Sequence, residues 1–392
     1  MNDSAMHEPM PLRQDSIGLY LHIPFCERLC RFCAFVTHGY QDDRATAFVA
    51  ALLAEIEWAD HAGLVRGRVV DTVYFGGGTP TTLSPVQLLA ILNACRQRFH
   101  VASNAEITIE ANPMGVDQPT LLALREGGVT RISFGAQSFN DHELEAAGTP
   151  HRTEDLANAV CAAREAGVPT VNLDLIYGLP GQSPARWRAN LDAAIALGPD
   201  HLSFYGLTIE EGTPFHRDIE RGCLTVPDEG AMSDLYEMGR ARLDEAGYRQ
   251  YEVSNFARPG HVCRHNLGYW TDREWLGLGP SAHSYLDGDR FSNVASLSEY
   301  HRLVASGLAP IAEREQGTPE LRTREAVVFG LRTVAGVQLA AVKHRYRLDP
   351  IAGMKDPIER FARAGWLVLD GPILRPSATG LALADEMAVA LL

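Results

Sequence analysis

Residues 18–33, GLYLHIPFCERLCRFC, set out how this chain is built. The run 18–23 has the composition and length of a β-strand, and three cysteines, Cys26, Cys30 and Cys33, follow it within eight residues. Five further β-rich runs recur along the first half: 71–75 (DTVYF), 106–110 (EITIE), 131–135 (RISFG), 171–175 (VNLDL) and 201–207 (HLSFYGL). Between them lie Ala-, Leu- and Glu-rich segments such as 44–60 and 153–166, with apolar residues at helical spacing. Several of these helices stop at glycine, as at Gly127–Gly128 and Gly167. Strand–helix alternation implies parallel strands joined by right-handed crossovers. Six such units predict an α/β fold, an open or partial (β/α)6 TIM-like barrel.

The unusual residues fall at equivalent places in these units. The cysteines follow the first strand, Gly76, Gly77 and Gly78 follow the second, and Glu110 ends the third. Gln137 follows the fourth, and Asp174 lies near the end of the fifth. In β/α barrels the active site sits at the carboxyl ends of the strands, so these features are expected to share one rim. The expected organisation is a flexible N-terminus (1–16), a barrel (17–225), a barrel-covering extension (226–315) whose stretch 251–293 reads as loops, and a C-terminal domain (316–392). In the last, helices precede two short strands around Asp370–Gly371, a hairpin signal that suggests a winged-helix-like α+β domain.

Composition narrows the function. Of 392 residues, 46% are hydrophobic and 21% charged, and the formal net charge is −14. An acidic surface argues against nucleic-acid binding, which relies on basic patches to displace counterions. No apolar run approaches membrane-spanning length, and the first sixteen residues lack the apolar core of a signal peptide. A cytoplasmic protein is expected. There the seven cysteines do not read as disulfides; Cys95, Cys161 and Cys223 are expected as small buried residues.

Three thiolates from one loop can ligate three irons of an iron–sulfur cluster and leave a fourth open to a substrate. The competing reading is a zinc site completed by His22 or His38, although zinc usually takes paired CxxC knuckles and no second pair exists here. The CxxxCxxC spacing resembles that of radical S-adenosylmethionine (SAM) proteins. This resemblance implies a [4Fe–4S] cluster on Cys26, Cys30 and Cys33, with SAM on the open iron and cleaved by an electron from the cluster. Gly76–Gly77–Gly78–Thr79 reads by itself as a tight turn or as a close backbone approach to a ligand. The resemblance assigns it to the methionine amino group of SAM, assigns Glu110 to the ribose hydroxyls, and makes Tyr20, Gln137 and Asp174 further SAM contacts.

LYLHIPFC, VYFGGGTPT, RISFGAQSF, NLDLIYGLPGQ, LTIEEGTPF and CRHNLGYW resemble, in order, the blocks of the oxygen-independent coproporphyrinogen III oxidase-like family. Within it the chain is most similar to the HemW-type haem chaperones. Phe35 stands where HemN-type enzymes carry a fourth cysteine, and His265–Trp270 matches an HNxxYW motif whose histidine is implicated in haem binding. The resemblance thus adds haem or a related porphyrin as a ligand, with His265 as the expected iron ligand and Cys263 a lesser one. A packed loop histidine remains the alternative for His265. Expected partners are haem-acceptor proteins at the membrane, which would make the chain membrane-peripheral, and a reductant such as flavodoxin or ferredoxin. Thr149 departs from the family, which places there an arginine contacting the SAM carboxylate; Arg152 is the nearby substitute. Ala34 stands where HemW proteins usually have aspartate. The alternative functions implied are a coproporphyrinogen oxidase-type enzyme or a HemN-like class C methyltransferase.

Overall fold

The computed structural model describes residues 15–392. The expected flexible N-terminus lies outside the described residues except for Asp15 and Ser16, and Ser16 already opens the first strand. All six expected strands are present: β1 (Ser16–Ile23), β2 (Val69–Gly77), β3 (Val101–Ala111), β4 (Arg131–Gln137), β5 (Thr170–Tyr177) and β6 (His201–Gly206). They lie side by side in chain order, each parallel to the next. The crossovers carry α1 (Asp42–His61), α2 (Pro85–Arg98), α3 (Gln118–Glu126), α4 (Asp141–Ala147), α5 (Thr153–Glu165) and α6 (Pro184–Ala196); α7 (Pro214–Glu220) and α8 (Glu229–Glu245) follow β6.

Strict alternation along the strands explains the two faces of this sheet. In β1, Ile17, Leu19, Leu21 and Ile23 are fully buried and join the main apolar core with Phe48, Leu52 and Ile56 of α1. Gly18, Tyr20 and His22 take the opposite face, with Thr72 and Tyr74 of β2, Glu106 and Glu110 of β3, Ser133 of β4 and Asn172 and Asp174 of β5. The helix side is thus apolar and the concave side polar and hydrogen-bonded. A parallel strand packed on two apolar layers would instead read as one continuous hydrophobic run.

Residues 251–293 are not the loops expected from sequence. After β7 (Arg249–Gln250), they form β8 (Asn255–Ala257), α9 (Arg264–Trp270), β9 (Trp275–Leu278), β10 (His283–Leu286) and β11 (Asp289–Asn293); α10 (Leu297–Ala305) and β12 (Ile311–Glu315) follow. β8 pairs antiparallel with β6, while β9 pairs parallel with β1 at the opposite edge. The sheet therefore runs β12-β11-β10-β9-β1-β2-β3-β4-β5-β6-β8-β7. An open barrel leaves unpaired backbone groups at both edges, and this stretch satisfies both.

The tail comprises α11 (Pro319–Gly330), β13 (Val337–Gln338), α12 (Leu339–Tyr346), α13 (Lys355–Arg363), β14 (Leu367–Asp370), β15 (Ile373–Pro376), α14 (Ala378–Ala382) and α15 (Ala384–Leu391). Its three strands form a separate antiparallel sheet, β13-β15-β14, over a second apolar core that includes Val327, Phe361, Leu374 and Met387. Helices followed by a hairpin give the winged-helix-like order. Contrary to expectation, Cys161 and Cys223 are exposed; Cys95 is buried. Cys161 lies on the outer side of α5, which apolar spacing cannot tell from the inner side, and Cys223 lies beyond the end of α7.

Candidate functional site

A cavity of about 470 Å³ opens at the carboxyl ends of β1–β6. Cys26, Cys30, Cys33, Phe35, Gly77, Gly78, Thr79, Glu110, Gln137 and Asp174 line it, so ten of the thirteen expected site residues meet on one rim. Tyr20 and Gly76 lie just beneath, since a Cβ on Gly76 would meet Tyr74, Glu110 and Tyr20 at 3.0–3.1 Å. His265 does not join them.

The glycines are there for steric reasons. Gly77 has φ +111, and a Cβ on it would approach the His22 ring within 2.6 Å. On Gly78 a Cβ would lie 2.5 Å from the Phe25 carbonyl oxygen. The turn is thus pressed against the base of the cysteine loop, which the Gly78 and Thr79 amides hold by donating to the Ile23 and Phe25 carbonyls (2.9 and 2.7 Å). Thr79 Oγ1 also shares a 3.6 Å hydrogen bond with Cys26 Sγ. His22 secures the loop's far side, since its Nε2 donates to the Val36 carbonyl (3.1 Å) and its Nδ1 accepts from Tyr20 OH (3.1 Å).

That geometry bears on the metal. Both nitrogens of His22 have protein partners, so this ring does not complete a zinc site with the cysteines. The three thiols are half-buried on one loop. Burial raises all three pKa values, and the neighbouring Cys33 and Cys26 thiols help push Cys30 up to about 12. Such thiols stay protonated at neutral pH unless cationic metal stabilises the thiolates. An iron–sulfur cluster, which spreads its thiolate ligands over several irons, fits this donor set better than a lone zinc ion does.

The opposite wall is acidic. Glu110 accepts from Tyr74 OH (2.7 Å) and the Gly77 amide (3.2 Å), and burial raises its pKa to about 7. Asp174 accepts from Ser133 Oγ (2.7 Å) and Asn172 Nδ2 (2.9 Å), and burial raises it too. Gln137 ends β4 with φ +62, a left-handed conformation that costs a non-glycine residue about 1–3 kcal/mol. Strain of this kind accumulates at binding sites. Thr149 lines the cavity, but its hydroxyl bonds back to the Leu144 carbonyl (3.2 Å). Arg152 is exposed and does not line the cavity, leaving Arg28 as the one Lys or Arg among the described lining residues.

His265 lies at the other end of the barrel. It sits on α9, which closes the amino ends of the strands and whose backbone amides at Arg264 and His265 donate to Glu106 (both 3.0 Å). The His265 ring is 3% exposed, its Nδ1 bonds Thr72 Oγ1 (2.8 Å), and its Nε2 bonds Tyr269 OH (2.9 Å). Both ring nitrogens thus have protein partners, which is the arrangement of the packed-histidine alternative. Cys263 is likewise buried, its thiol bonded to Glu106 (3.6 Å). Sequence reasoning missed Tyr74, which carries Glu110 and stacks on His265 with ring centroids 5.0 Å apart. The signal was its place between Thr72 and Gly76 on the inward face of β2.

Comparison with known proteins places this barrel and its cysteine rim in a class. Residues 20–194 match the Radical SAM superfamily, and residues 318–383 match the HemN C-terminal domain. The chain shares the fold of Escherichia coli coproporphyrinogen III oxidase (HemN), described as a radical SAM enzyme, with TM-score 0.83 and 25% identity, the match covering 100% of this chain and 93% of that one. It is 38% identical to the heme chaperone HemW of Mycobacterium tuberculosis over 97% of this chain and 96% of that one. With the heme chaperone HemW of Synechocystis it shares 37% identity over 92% and 89%. The chain belongs to the HemW family of radical SAM proteins.

Proposed function

We propose that this chain is a haem chaperone that holds a [4Fe–4S] cluster on Cys26, Cys30 and Cys33 and binds SAM in the adjoining cavity. The observation carrying this reading is the convergence of the cysteine loop, the glycine turn, Glu110, Gln137 and Asp174 around one opening. A reduced cluster would supply one electron to a bound sulfonium. The chain's own residues do the rest. Glu110 and Asp174 offer carboxylate oxygens to ribose hydroxyls and cationic groups, and Gly77 and Gly78 let a ligand lie against bare backbone. Four acidic lining side chains, Glu27, Glu110, Asp174 and Glu210, face a single arginine, which suits a ligand carrying an ammonium and a sulfonium.

The chaperone function follows from family membership and from the names of the relatives. Haem is then the cargo, acceptor proteins at the membrane its destination, and a flavodoxin or ferredoxin the reductant. Among the described residues no helix is long and apolar enough to cross a membrane.

Anaerobic reconstitution tests the reading on one preparation. Wild-type chain should take up about four irons and sulfides and about one haem, and Cys30→Ala should lose the iron. Full iron and sulfide in that variant would overturn the cluster assignment. Stoichiometric 5′-deoxyadenosine together with an altered porphyrin or methylated product would instead establish an enzyme of the oxidase or methyltransferase type.

A further inference from the structure

A line of buried polar groups runs through the barrel interior, from the floor helix α9 to the rim carboxylate Asp174. Asn172 and Asp174 point inward two residues apart on β5, and His201 stands beside Asn172 in register on β6. His201 is 1% exposed, and both its nitrogens are bonded: Nδ1 to Asn172 Oδ1 (2.6 Å) and Nε2 to Tyr251 OH (2.8 Å). Tyr251 OH in turn accepts from the backbone amide of Cys263, the residue that caps α9 (3.3 Å). Neither His201 nor Tyr251 lines the cavity, and the site described above leaves both without a role.

The direction of each bond follows from the chemistry of its partners. Asp174 accepts on both oxygens, from Ser133 Oγ at Oδ2 and from Asn172 Nδ2 at Oδ1. With its nitrogen turned to Asp174, Asn172 presents Oδ1 to His201 and needs a donor there, which puts the ring proton on Nδ1. Burial, with the Arg131 charge nearby, holds the His201 pKa well below the ordinary value, so the ring is neutral and Nε2 carries no proton. Tyr251 therefore donates to Nε2. Every donor in the line points toward Asp174, and such chains reinforce one another in a low-dielectric interior. Ser203 Oγ also reaches Asn172 Oδ1, but at 3.3 Å it is the weaker donor.

We infer that His201 is a positioning residue for SAM: held in one tautomer by Tyr251, it locks the Asn172 amide so that Asp174 keeps one orientation at the cavity. This inference rests on the SAM reading above and names what sustains one of its carboxylates. It also connects α9, whose motif the cavity does not use, to the rim.

Two amide substitutions separate the ring nitrogens. In His201→Asn the new N–H stands near the place of Nδ1 and still donates to Asn172. In His201→Gln the amide extends toward Tyr251, and Asn172 loses its donor. SAM is titrated into each anaerobically reconstituted chain, with iron, sulfide and thermal unfolding measured on the same preparations. His201→Gln should bind SAM about tenfold more weakly and His201→Asn within about twofold of wild type, at similar unfolding temperatures. In an Asp174→Asn background the His201→Gln change should cost no further affinity, because the carboxylate it serves is gone. Wild-type SAM affinity in His201→Gln, equal losses in both variants, or the same loss in the Asp174→Asn background overturns the positioning role and leaves the SAM reading standing. Wild-type chain that holds its cluster and takes up no SAM overturns both.

Discussion

Gln137 shows how one residue can hold strain for a site. Its positive φ falls where β4 shifts register against β5, and its side chain folds back to within 2.9 Å of where a Cβ on Gly135 would lie. Gln137→Gly should relieve the backbone strain and raise stability by about 1 kcal/mol. The same change should weaken SAM binding, because the amide is lost from the rim. Thermal unfolding paired with SAM titration checks this, and loss of stability without loss of affinity would assign Gln137 a purely structural role. His265 is the contrasting case. Its motif was legible in the sequence, but the motif says nothing of whether Thr72 and Tyr269 occupy both ring nitrogens. Burial also holds its pKa well below the ordinary histidine value, so the ring stays neutral and packed.

At the scale of elements, α1 is joined to the added strands by one carboxyl group. Glu55 is buried and accepts from the Gly279 amide (2.7 Å), Asn293 Nδ2 (2.7 Å) and Tyr300 OH (2.6 Å). Burial raises its pKa from 4.5 to about 7 despite these three donors. Between those two values the folded chain binds a proton that the unfolded chain has released. Stability from this group is therefore present below about pH 4.5 and declines as pH rises to about 7, by up to ~3 kcal/mol. Glu55→Gln should flatten that part of the stability-versus-pH curve in urea unfolding. An unchanged slope would show that Glu55 titrates normally. Sequence periodicity predicted α1 but gave no hint of this anchor, because its partners lie more than two hundred residues away.

For the whole molecule, the tail is fastened to the sheet edge by charged and aromatic groups at Asp272. This carboxylate accepts from Tyr285 OH (3.0 Å) and Tyr346 OH (2.7 Å) and pairs with Arg345 at 3.2 Å. Nearby, Arg332 of the tail lies over Trp270 at 4.8 Å, and Trp270 packs against Phe329. The helix that plugs the barrel floor thus also carries the tail. Asp272→Asn tolerates the positive φ there but removes the charge, and should cost about 2 kcal/mol. Differential scanning calorimetry should then show the tail unfolding ahead of the barrel. A single transition at the wild-type temperature would mean that the junction contributes nothing.

The sequence by itself determined the six parallel strands, their order and the cysteine loop, because alternation, glycine stops and local spacing are properties of neighbouring residues. It also brought ten expected site residues to one rim, since parallel crossovers leave every strand's carboxyl end on the same side. Only the tertiary structure decided that residues 251–293 extend both sheet edges, that Arg152 misses the cavity, and that His265 is sealed into the barrel floor. Each of those outcomes depends on which distant groups compete for the same hydrogen bonds and the same space, and one-dimensional spacing carries no record of that competition.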